Sequence, residues 1–219
     1  MILSKKELYS IYHSKDGTRI GPHGDEALDL FLRMCLFHSK TDILDIGSGG
    51  SNHSAILRSH GLTVAEVDMA AKRQPTHLGD YNEIELGKKY DGVWCNHTLE
   101  HMPNPNLFLR KIHRDLNEHA IVAITVPPYK PEIVSGHVTW WNMGMLLYHL
   151  ILAGFDCSQA RGLKYEYNIS VVFKKKSITN MPNVTMHSGD IERLATYFPF
   201  PVEQGFNGDI ESVNWNKKF

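Results

Sequence analysis

The stretch LDIGSGGSN, residues 44–52, decides the fold. Three glycines, Gly47, Gly49 and Gly50, follow a short apolar run at 43–46. They precede a helical stretch led by Ala55, Ile56 and Leu57 that ends near Gly61. The order is strand, glycine turn, helix. Such a turn lets a ligand approach backbone that a Cβ would block, and it sets that ligand at a helix N-terminus. Glycine clusters are common in surface turns, so the neighbouring residues have to choose the ligand.

Two acids make that choice. A dinucleotide fingerprint needs a third glycine at position 52, which is Asn52, and it brings a pyrophosphate to the turn. Asp45, two residues before Gly47, repels a pyrophosphate and suits the cationic α-amino group of a methionine moiety. This favours S-adenosylmethionine (SAM) over NAD. A second acid is then required at the end of the next strand, about 20 residues on, to accept the ribose hydroxyls. Asp68 in VAEVDM meets this requirement, with Glu66 as a nearby competitor.

The alternation continues outward from the turn. A helix over 24–38 comes before the first strand, and strands are expected at 63–67, 90–95 and 119–126. The last of these is stopped by Pro127 and Pro128. Helices are expected at 106–117, where Leu109, Ile112 and Leu116 share a face, and at 140–153, closed by Gly154. Segments 155–164 and 167–173 then read as a terminal hairpin. Strands alternating with helices imply a mainly parallel sheet covered on both faces. From 177 to 219 the alternation is lost. That segment reads as a lid, a dimer contact or a tail wrapped over the sheet.

These motifs resemble, in order, those of class I SAM-dependent methyltransferases. The resemblance rests on residues 44–52, 64–69, Gly79 with Asp80, and YDGVWCNHTLEHMPNP at 90–105. It continues through Gly136, His137 and the AGF at 153–155, and so covers about residues 25–176. The group concerned carries LEH after its fourth strand. Length and composition point to one domain over 1–219, with an N-terminal helical segment over 1–40 and a core at about 25–176, and the resemblance implies an α/β fold for that core. Its Rossmann-like sheet would be seven-stranded and mainly parallel, in the order 3-2-1-4-5-7-6 with strand 7 antiparallel and helices on both faces. Asp45, Gly47 and Gly49 would line the methionine end of SAM, and Asp68 would hold the ribose. Asp80 would meet the adenine amino group with Tyr81 beside the ring, while Asn96 and His97 would face the sulfonium.

The same region spells HxxEH from His97 to His101, the inverted zinc-peptidase motif. On a helix the two histidines would share a face and Glu100 could activate water. The motif directly follows a strand, however, and LEH stands in the resembled family without a metal, so no metal ion is expected.

Composition bounds the acceptor. With 23 basic and 24 acidic residues the net charge is -1, so no global field draws in nucleic acid or an anionic membrane. Cys35, Cys95 and Cys157 lack metal or redox spacing and read as reduced core residues. The opening MILSKKELYS lacks a signal-like apolar run, and the expectation is a soluble, cytoplasmic protein with a homodimer as the candidate assembly. The acceptor is expected to be a small molecule or saccharide, with oxygen favoured over nitrogen or carbon. A non-catalytic SAM-binding module is the alternative from another class. An alcohol needs a base, and His137 and His97 are the candidates. Tyr129 and Trp140 would border an acceptor pocket or else face the core. Lys174, Lys175 and Lys176 would protect a sheet edge.

Overall fold

The computed structural model describes residues 23–70 and 74–218. The opening decapeptide and most of the expected N-terminal segment lie outside the described residues. Helix α1 (Asp25–Phe37) leads into β1 (Asp42–Ile46), the glycine turn, and α2 (Asn52–Ser59). Then come β2 (Thr63–Asp68), β3 (His77–Leu78), β4 (Tyr90–Asn96), a single 3-10 turn (Leu99–His101) and α3 (Pro105–Asp115). The chain continues through β5 (Leu116–Val126), α4 (Met143–Leu152), β6 (Arg161–Tyr165), β7 (Asn168–Lys174), α5 (Asp190–Leu194) and β8 (Ser212–Val213).

The sheet order is β3-β2-β1-β4-β5-β7-β6-β8. Its first seven places match the expected order. β3, β2, β1, β4 and β5 pair in parallel, while β7 runs antiparallel to both β5 and β6. The eighth strand corrects the expected count. β8 comes from the C-terminal tail and pairs antiparallel with β6, at an edge that would otherwise present unpaired backbone groups. The tail is fastened further by the Arg161 guanidinium, which donates to the carbonyls of Lys217 and Lys218, and by Lys164, which pairs with Asp209 and Glu211.

Both faces of the sheet are covered because the strands alternate. Leu44 and Ile46 of β1 join a core with Phe108, Leu109 and Ile112 of α3 and Leu146, Leu147 and Leu150 of α4. Ile43, on the opposite face, joins Leu28 and Phe31 of α1, Leu57 of α2 and Trp215 of the tail. All three cysteines are free and buried, and burial pushes their thiols up. They belong to the core, as their positions within apolar segments suggest.

Three sequence expectations change. The helix expected from 140 begins at Met143, because the Asn142 side chain accepts from the Met145 amide and caps it. In place of a strand over 155–164 the strand is Arg161–Tyr165, and Phe155 forms an isolated bridge to Ser177 instead. The lysine run does not guard an edge, since β7 is internal. Lys175 is buried, and its ammonium group donates to the carbonyls of His113 and Leu116 at 2.7 and 2.9 Å, satisfying the C-terminal end of α3.

Candidate active site at the strand ends

The order of strands reverses around β1, which has β2 on one side and β4 on the other. That is the switch point where a parallel sheet opens a crevice beyond its C-terminal strand ends. A cavity of about 270 Å³ lies there, lined by Ile46, Gly47, Val67, Asp68, Met69, Gly79, Asp80, Tyr81, His97, Thr98, His101, Met102 and Phe108.

The turn after β1 is held over the end of β2, since the Gly47 amide donates to the Val67 carbonyl at 2.8 Å. Gly47 has φ 75°, and a Cβ there would fall 2.1 Å from the Thr98 hydroxyl oxygen. Asp68 accepts the Gly49 amide on one carboxylate oxygen and the Ala70 amide on the other, both at 2.7 Å. Glu66 is excluded as its competitor. It is buried away from the cavity and pairs with Arg58 at 3.0 Å. Burial raises its carboxyl, but the bonds from Arg58, Ser51 and Ser54 outweigh that and hold it below the usual range.

Asp80 and Tyr81 form another part of the cavity wall. Asp80 accepts the backbone and side-chain nitrogens of Asn82. The Tyr81 hydroxyl donates to Asp115 at 2.9 Å, and its ring packs edge-on to Phe108. Burial raises the Tyr81 phenol, so it stays protonated as a donor.

Two expected contacts lie off the cavity wall. Asp45 is buried beneath the turn, where it accepts the Ser54 hydroxyl at 2.5 Å. Burial pushes its carboxyl up to about 7, and Ser54 only partly offsets this. Asp45 therefore supports the turn from the α2 side. Asn96 also faces away from the cavity, with its Oδ1 against Gly24 at the start of α1, where a Cβ would stand 2.2 Å from it.

His97 does line the cavity. It has φ 51°, its Nε2 donates to Asn168 Oδ1 at 2.9 Å, and its ring stacks with Tyr167. The peptidase geometry imagined for HxxEH is absent. His97 precedes a single 3-10 turn, so the two histidines are not one turn apart on an α-helix. The His101 Nδ1 instead donates to the Gly136 carbonyl at 2.7 Å, and the amide of Val138 donates to the Glu100 carbonyl at 2.9 Å. These bonds bring the loop after β5 against the turn after β4.

That loop carries His137 into a second, smaller cavity of about 70 Å³, lined in part by Lys130, His137, Thr139, Trp140 and Tyr167. The His137 and His101 rings meet edge to face at 5.1 Å. Burial lowers the His137 imidazole, and the other histidines and Lys130 add to this while Glu100 opposes it. Tyr129 and Trp140 are exposed and touch edge to face, whereas Trp141 is the core residue. Thr98, Met102 and Tyr167 were missed in the sequence. A threonine one residue before LEH was the available signal for the first, and nothing local marks the others.

A reversed-order parallel sheet with a glycine turn, a strand-end acid and this cavity defines the Rossmann-like fold of class I SAM-dependent methyltransferases, and SAM is the cofactor that goes with it. The chain belongs to the family of the methyltransferase domain, whose model matches residues 22–149. It is 28% identical over 120 residues to a ubiquinone biosynthesis O-methyltransferase of Glaesserella parasuis serovar 5, a match covering 43% of this chain and 51% of that protein. The chain thus spans about half the length, or less, of the curated relatives it matches. In fold it is similar to the 1,6-didemethyltoxoflavin-N1-methyltransferase of Burkholderia thailandensis, with bound S-adenosylhomocysteine, at TM-score 0.52 and 16% identity over 69% of this chain and 78% of that one. It is also similar to an S-adenosylmethionine-dependent methyltransferase from Clostridium acetobutylicum, at TM-score 0.54 and 10% identity over 69% and 91% of the two chains. Among the described residues, no helix is long and apolar enough to cross a membrane.

Proposed function

We propose that this chain transfers the methyl group of SAM to a hydroxyl oxygen of a small molecule or sugar. The observation that carries the reading is the meeting of two cavities at a histidine cluster. His97 and His101 line the cofactor cavity, and His137 lines its neighbour. The name of the curated relative, an O-methyltransferase, supports oxygen as the methylated atom.

In this reading Asp68 holds the ribose, Asp80 and Tyr81 the adenine, and Gly47 and Gly49 the methionine end. The acceptor oxygen forms the new O–CH3 bond while the S–CH3 bond breaks. The electron pair of that bond returns to sulfur and leaves neutral S-adenosylhomocysteine. The hydroxyl proton passes to His137 or His97. Position supplies much of the rate, because the sulfonium is already a good leaving group.

Isothermal titration with S-adenosylhomocysteine tests the cofactor half, with saturable binding expected and none at about millimolar ligand sinking it. A screen of hydroxylated aromatics and sugars with methyl-labelled SAM tests the acceptor half. Label on nitrogen or carbon alone would overturn oxygen as the target.

A further inference from the structure

Glu100 is fully buried, yet neither of its carboxylate oxygens accepts a hydrogen bond among the described residues. Two ring nitrogens stand near one of its oxygens, His97 Nδ1 at 3.3 Å and His101 Nε2 at 3.9 Å. A carboxylate removed from water needs a cation or hydrogen-bond donors close by. The hydrogen bonds on the far sides of the rings fix which nitrogen of each ring faces Glu100.

The His101 Nδ1 donates to the Gly136 carbonyl, so a neutral ring turns the lone pair of Nε2 toward Glu100. The His97 Nε2 donates to Asn168, whose own amide nitrogen donates to the Tyr165 carbonyl, so a neutral His97 turns its Nδ1 lone pair to the same carboxylate. His137 completes the set, since one ligand atom each from Glu100, His101 and His137 lies within 4.8 Å of the others. Lone pairs converging on a buried carboxylate repel one another unless a positive charge sits among them. Imidazoles whose second nitrogen donates to a carbonyl are the usual ligands of such a charge.

We propose that Glu100, His101 and His137, with His97 as a fourth donor, bind a divalent transition metal ion of the Zn²⁺ type between the two cavities. Mixed imidazole and carboxylate donors suit that class, while Mg²⁺ and Ca²⁺ prefer oxygen alone. Ligands on a tetrahedral zinc stand roughly 3.3 Å apart at bonds of ~2.0 Å, so the cluster must contract. His137 is on the loop after β5 and partly exposed, and its movement supplies that contraction. Sequence alone leads to no metal at HxxEH; the tertiary structure sets Glu100 and His101 of that motif on a 3-10 turn, with His97 just before it, and adds His137 from the loop after β5. The ion's use rests on the proposed methyl transfer: it would take the acceptor oxygen beside the methyl group and favour its deprotonated form, so that in the metal-loaded protein His137 and His97 act as ligands and the hydroxyl proton leaves to solvent in place of an imidazole.

The test is titration of tag-free protein with Zn²⁺ in the absence of cofactor, together with visible absorption of the Co²⁺-loaded protein. One tight Zn²⁺ per chain is expected, with intense Co²⁺ d–d bands from a low-coordinate site. Glu100→Gln and His137→Ala should each weaken Zn²⁺ at least about 100-fold. No binding by the wild-type protein, or equal binding by Glu100→Gln, overturns the site and leaves a protonated histidine as the partner of Glu100. The Co²⁺ spectrum needs no variant, so a misfolded substitution does not block the test. S-adenosylhomocysteine is titrated into the same sample. Its binding without Zn²⁺ binding removes the metal alone, whereas Zn²⁺ binding without it removes the cofactor reading and keeps the metal site.

Discussion

The Asp68 carboxylate accepts the Gly49 amide at 2.7 Å, so the residue assigned to the ribose also fastens the glycine turn to the end of β2. Under the proposed function, cofactor binding and turn geometry are coupled through this one side chain. Asp68→Ala is expected to weaken S-adenosylhomocysteine binding by about 1.5–3 kcal/mol, the scale of hydrogen bonds to a charged group. Asp68→Asn keeps an acceptor for Gly49 and should lose less stability in urea. Glu66 cannot take over, being committed to Arg58, so unchanged affinity in folded Asp68→Ala would remove the ribose assignment.

The glycines of the turn separate two costs. Gly47→Ala meets both a left-handed φ and the Thr98 side chain, while Gly49, at φ 52°, has no heavy atom within 4 Å of an added Cβ. Gly49→Ala should therefore cost only the backbone strain, about 1–2 kcal/mol. Gly47→Ala should cost more and also narrow the cofactor cavity it lines. Chemical denaturation and S-adenosylhomocysteine titration of both variants check this. Equal losses would mean that Thr98 yields without penalty.

One buried and one half-buried group pull stability in opposite directions with pH. Asp45 is raised from 3.8 to about 7, chiefly by burial, so the native state keeps a proton that the unfolded chain has released. Its contribution is full below the unfolded value and is lost as pH rises toward about 7. His113 is lowered from 6.5 to about 4 by burial and then by Lys175, so its contribution is present above 6.5 and lost as pH falls toward about 4. Asp45→Asn should make stability rise more steeply between about pH 5 and about pH 7.5, and His113→Gln should flatten or reverse that rise. Urea midpoints at the two pH values decide it, and parallel profiles for wild type and Asp45→Asn would refute the Asp45 assignment.

The two candidate bases should separate by cofactor affinity. His97 lines the cofactor cavity and His137 the second one. On an identified alcohol acceptor, His137→Ala should lower turnover by about 100-fold to 10,000-fold with S-adenosylhomocysteine affinity nearly unchanged. His97→Ala should lower both. Near-native turnover in both variants would rule out histidine as the base.

The strand, glycine turn and helix around residues 44–52, the order of the elements and the place of Asp68 were all legible in the sequence. They follow from local causes: apolar periodicity, backbone conformations open mainly to glycine, and the short distance along the chain between one strand end and the next. Which way a strand-end side chain turns is a different matter, because it depends on what packs above and below the sheet. Asp45 went under the turn to Ser54, and Asn96 went to Gly24. Lys175 found the end of a helix that precedes it by some 60 residues, and β8 found the bare edge of β6. The gathering of Glu100, His101 and His137 was equally beyond local reading. It exists because the loop after β5 folds back to offer the Gly136 carbonyl to His101, 35 residues away in sequence, and only the packed sheet brings those two loops to the same end.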